Sequence, residues 1–126
     1  MARNAGTHVK TEGKIVKVTI KINPGVCNFN TVVTAETEDS QDVTFAFETE
    51  CETMKEFAKQ IADISPVDAV ATLGREENPI LAKARSLLQA KGCCEACIVP
   101  AGAVKAMQVA ANLALPKDVS MQMVKE

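Results

Sequence analysis

The chain has 126 residues, 47% of them apolar and 24% charged, with a formal net charge of −2. This fits one globular domain with a radius of gyration of ~14 Å and excludes disordered and fibrous classes. The charge excludes a broad basic footprint for nucleic acid, and the lack of Trp and Tyr, with only four Phe, excludes a base-stacking platform.

Residues 1–13 are polar and aperiodic and read as a flexible N-terminal arm, leaving 14–126 as a single domain. From Lys14 the pattern alternates: Val16, Val18, Ile20 and Ile22 share one face, against Lys17, Thr19 and Lys21, which predicts a half-buried strand over 14–22. Asn23-Pro24-Gly25 ends it with turn chemistry. A second strand is expected over 30–37. After an acidic turn, a third follows over 43–49, with Val43, Phe45 and Phe47 facing inward. Consecutive short connections predict an antiparallel meander.

The period then changes from two to 3.6. Met54, Phe57, Ala58, Ile61 and Ala62 form the apolar stripe of a helix over 52–64, with Thr49 and Glu52 spaced as a capping box and Thr53 with Glu56 fitting the same pattern one turn later. Ser65-Pro66 is expected to open a short helix ending near Gly74. Asn78-Pro79 opens another over 79–91, stopped by Gly92. A largely buried helix is expected over 101–114, its polar residues Lys105, Gln108 and Asn112 confined to one stripe. Val119, Met121 and Met123 alternate with Ser120 and Gln122, predicting a closing strand. The fold class is α+β: an antiparallel three- to four-stranded sheet with three or four helices packed on one face.

Cysteine is the unusual component. The five thiols, Cys27, Cys51, Cys93, Cys94 and Cys97, occur in a chain with no apolar run of the ~20 residues a membrane span needs and no hydrophobic export segment at its start. A reducing cytoplasmic setting and the odd count both argue against a disulfide framework. Every cysteine falls at an element boundary: Cys27 between the first two strands, Cys51 at the first long helix start, and Cys93-Cys94-x-x-Cys97 before the buried helix. Such boundaries favour exposed, stabilised thiolates. Free Cys is also a common small core residue, which is the plainer reading of Cys27 or Cys51 taken singly. The Cys94/Cys97 spacing fits a metal pair or a redox dithiol. His8 is the sole histidine, so a Ser/His/Asp hydrolase is excluded.

This layout resembles the iron–sulfur cluster scaffold proteins of the IscU and NifU amino-terminal type. The local likeness is carried by Cys97-Ile98-Val99-Pro100-Ala101-Gly102-Ala103-Val104-Lys105-Ala106, similar to that family's cysteine-initiated helix, and by the placement of Cys27 and Cys51. The resemblance covers about residues 14–113. It implies an IscU/NifU-like fold, convergence of three cysteines at one end, and a protein partner in cluster or sulfur delivery. Either Cys94 or Cys97 matches the third family cysteine. Phe29 stands where the family has Asp, and Cys93 or Ala96 where it has His, so the group implied here is thiolate-only.

Three functions follow from the residues. The first is a metal- or iron–sulfur-binding protein with Cys27, Cys51, Cys94 and Cys97 as ligands and Cys93 as an alternative ligand. Four thiolates suit an iron–sulfur cluster or zinc and disfavour Mg²⁺ and Ca²⁺. The second is a thiol redox or sulfur-transfer protein using the Cys94/Cys97 dithiol. The third is a non-catalytic interaction module with incidental cysteines. Nucleic acid and membrane are not expected partners, and no catalytic residue is assigned.

Overall fold

The computed structural model describes residues 14–74, 76–92 and 95–126; the arm expected over 1–13, with His8, and the thiols Cys93 and Cys94 lie outside the described residues. Three strands, β1 (Val16–Ile22), β2 (Thr31–Thr37) and β3 (Asp42–Thr49), form the antiparallel meander that the alternation predicts. Ile20 lies opposite Val33 and Val33 opposite Phe47, while Val18, Ala35 and Phe45 form the neighbouring row. Directly opposed residues share a face, so this register stacks the apolar rows on one side. The other side carries Lys17, Thr19, Thr34, Glu36 and Thr44, with a Lys17–Glu36 ion pair at 3.5 Å.

Three helices cover the apolar side: α1 (Glu52–Ile64), α2 (Pro79–Lys91) and α3 (Val99–Ala110). α3 packs on β1 and β2, α1 on β3, and α2 chiefly on the two other helices. Val33, Phe57, Ile61, Ile80 and Met107 are among the fully buried side chains between the layers. Phe57 meets Phe47 edge-on at 5.6 Å, which seats α1 on the sheet. The architecture is α+β with a four-stranded open antiparallel sheet and three helices.

The fourth strand is not the one expected. β4 is Val67–Asp68, paired antiparallel with Asp42 and Val43, and a 3₁₀ turn, Ala71–Leu73, follows it. The short helix expected from Ser65-Pro66 does not start there, although the 3₁₀ helix Ala71–Leu73 does end at Gly74, because the polar groups over 65–69 have better partners. The Ser65 hydroxyl donates back to Ile61 O at 2.7 Å, and Ala69 N donates to Gln41 O at 2.8 Å. The Asp68 carboxylate accepts from Gln41 Nε2 at 2.9 Å and from Ala71 N at 3.0 Å. The closing strand expected over 119–123 is also corrected: residues 116–126 lie in no helix or strand, and Met121 and Met123 are 72% and 93% exposed. Among the described residues this segment pairs with no strand, and alternation alone, without a ladder of backbone hydrogen bonds, does not make one. α3 ends at Ala110 rather than 114, since Asn112 turns to φ +64°.

The β2–β3 turn is held by Asp39, whose carboxylate accepts from Gln41 N at 2.9 Å and Asp42 N at 2.8 Å. Burial opposes its charge, yet these N–H groups and the Thr37 hydroxyl hold the carboxyl below its ordinary range. Asn78 caps α2 by accepting from Ile80 N at 2.9 Å and Leu81 N at 3.2 Å, and Gly92 closes the helix in the left-handed region at φ +66°. Among the described residues, no helix is long and apolar enough to cross a membrane.

Gly102, in the first turn of α3, allows that helix to lie directly on β1. A Cβ there would collide with Ile22 Cδ1 and sit 3.2 Å from Ile22 Cγ1. Gly102→Ala is therefore expected to destabilise the protein, because overpacking of roughly 1–3 kcal/mol outweighs a helix-propensity gain of about 1 kcal/mol. Asn78→Ala should lose about 1 kcal/mol through the missing cap. Equilibrium denaturant unfolding measures both, and an unchanged midpoint for Gly102→Ala would show that Ile22 yields freely.

Candidate thiol site

The register fixes one end of the sheet at Ile22, Thr31 and Thr49, which lie in a row across β1, β2 and β3. The β1–β2 connection, the β3–α1 junction and the first turn of α3 all meet this end. The last follows from the stacking of Gly102 on Ile22. At its other end α3 reaches the β2–β3 turn, where Asn112 Nδ2 donates to Ser40 Oγ at 3.2 Å. The helix thus runs the length of the sheet, and Cys97, just before it, belongs to the same end as Cys27 and Cys51.

Cys27 is exposed at the third position of a tight turn closed by Asn28 N donating to Gly25 O at 2.9 Å. Gly25 and Asn28 take φ +96° and +61°, and the Asn23 side chain accepts from Gly25 N at 3.0 Å. The left-handed region is cheap for glycine and tolerable for Asn, so the local sequence specifies a turn that projects this thiol outward. Val26 beside it is wholly exposed, and Phe29 is 44% exposed.

Cys51 is the N-cap residue of α1, with extended backbone, half-buried against the core. The capping box expected from Thr49 to Glu52 is absent; the sulfur makes no cap hydrogen bond, and the Cys51 carbonyl accepts from Lys55 N at 2.9 Å. Thr49 has a different task. Its Oγ1 accepts from Cys51 N at 3.1 Å and lies 2.9 Å from the hydroxyl of buried Thr31. Together these bonds tether the β3–α1 junction to the central strand. Sequence spacing named Thr49 but not this role, which depends on the cross-strand register.

Cys97 precedes Ile98, the N-cap of α3, and is half-buried against the core. It lines a groove of about 300 Å³ between α2 and α3 together with Leu81, Arg85, Gln89, Glu95 and Pro100. Arg85 also pairs with Glu77. No local motif marks Arg85 or Glu95, because the groove arises only when the two helices pack.

Cys27, Cys51 and Cys97 are thiols rather than disulfides. Among the described residues no group of three His, Cys, Asp or Glu side chains is placed to hold a metal ion. The three thiols therefore share an end of the fold without forming a ready coordination set, which for zinc requires sulfurs about 4 Å apart around bonds of roughly 2.3 Å. Chemically the donor set is soft and suits zinc or an iron–sulfur unit.

Thr49→Val should lose about 1 kcal/mol, since it leaves Cys51 N without this partner, while the Thr31 hydroxyl keeps Phe29 O at 3.1 Å as an acceptor. It should also raise the reactivity of Cys51 toward a thiol reagent relative to Cys27. Unfolding midpoints and labelling rates under native conditions check this, and an unaltered rate ratio would contradict the tether.

Comparison with curated proteins and with solved structures returned no match. A family model described as a family of unknown function, DUF6951, matches residues 18–123, which cover all four strands except the start of β1, all three helices and the three described thiols. The chain belongs to that family.

Proposed function

We propose that the protein binds a metal ion or iron–sulfur unit through cysteine thiolates at the Ile22–Thr31–Thr49 end of the sheet. Cys27, Cys51, Cys94 and Cys97 are the ligands and Cys93 an alternative. The observation that supports this reading is topological. Three thiols distant in sequence reach one end through three separate junctions, a turn, a strand-to-helix step and a helix start. Core packing alone gives no reason for that coincidence, and it leaves Cys27 exposed.

The ligands would act from unequal supports. Cys51 and Cys97 are anchored at helix starts against the core, whereas Cys27 rides on an exposed turn. Loading would draw the Cys27 turn toward the two anchored thiols, and the bound group would be held in a thiolate-only shell. The resemblance to IscU- and NifU-type scaffolds agrees with this reading and points to a protein partner in cluster or sulfur delivery. The same reading assigns the protein to a reducing, cytoplasmic setting, where thiols persist.

Anaerobically purified protein should carry stoichiometric zinc, or iron with acid-labile sulfide. Metal-free protein with a titratable Cys94/Cys97 disulfide would replace this reading with the dithiol one, and metal-free protein with inert thiols would leave only the interaction module. Retention should fall steeply as pH is lowered, because each ligand must lose a proton to bind and acid returns it. Cys97→Ser should lose more metal than Cys93→Ser, since Cys97 is fixed by its packing beside α3. Equal retention, or greater loss from the Cys93 variant, would show that the wrong thiol of the run has been chosen.

A further inference from the structure

We draw no further inference here: the strongest candidate, the groove between α2 and α3 lined by Leu81, Arg85, Gln89, Glu95, Cys97 and Pro100, carries nothing, because its thiol belongs to the site already described, its Arg85 is already paired with Glu77, and nothing in the structure shows what covers it.

Discussion

The close approach of α3 to β1 at Gly102 and Ile22 is the contact on which the arrangement of this molecule depends. Without a side chain at 102 the helix can rest on Ile22 itself, and its opposite end is fixed by Asn112 on the β2–β3 turn. Those two points orient α3 along the sheet. They also place the residues before it, Cys97 among them, at the end where the β1–β2 turn and the β3–α1 junction already lie. Pro100 in the first turn suits this position, since its missing N–H would have no helical partner there. A bulkier residue at 102 would press on the Ile22 side chain at the same end of the sheet that receives the start of α3.

Much of the fold was legible in the sequence because its signals are local. Alternation in β1 and β3, the apolar stripe of α1, and the Asn78 and Gly92 boundaries of α2 each follow from period or cap chemistry within a few residues. The misreadings came where a distant partner decides. Ser65-Pro66 resembles a helix start, but Asp68, Ala69 and Gln41 bind one another across the sheet end and draw the chain into β4. Thr49 and Glu52 have capping-box spacing, yet the Thr49 hydroxyl is taken by the Cys51 N–H and Thr31. Val119 to Met123 has strand alternation but pairs with no strand among the described residues. Each of these turns on tertiary hydrogen bonding, which a single segment does not encode.

The same division holds at the candidate site. The placement of Cys27, Cys51 and Cys97 at element boundaries could be read from spacing, and the register makes those boundaries neighbours. The unequal burial of the thiols could not, because it depends on how α1 and α3 seat on the core. Nor could the groove beside Cys97, whose Arg85 and Glu95 come from separate elements. Phe29, next to the Cys27 turn, is exposed as well, which follows from its place in the β1–β2 connection rather than from its apolar side chain.

The central claim is that thiols from three junctions act on one bound group. Titration of the reduced, metal-free protein with Co²⁺ tests it most directly, because each bound thiolate contributes sulfur-to-cobalt charge-transfer absorption and the ligand field reports geometry. The account predicts a saturable, tetrahedral, thiolate-rich spectrum that weakens when Cys27, Cys51 or Cys97 is singly changed to Ser. A spectrum without charge-transfer intensity, or one indifferent to all three substitutions, would contradict it.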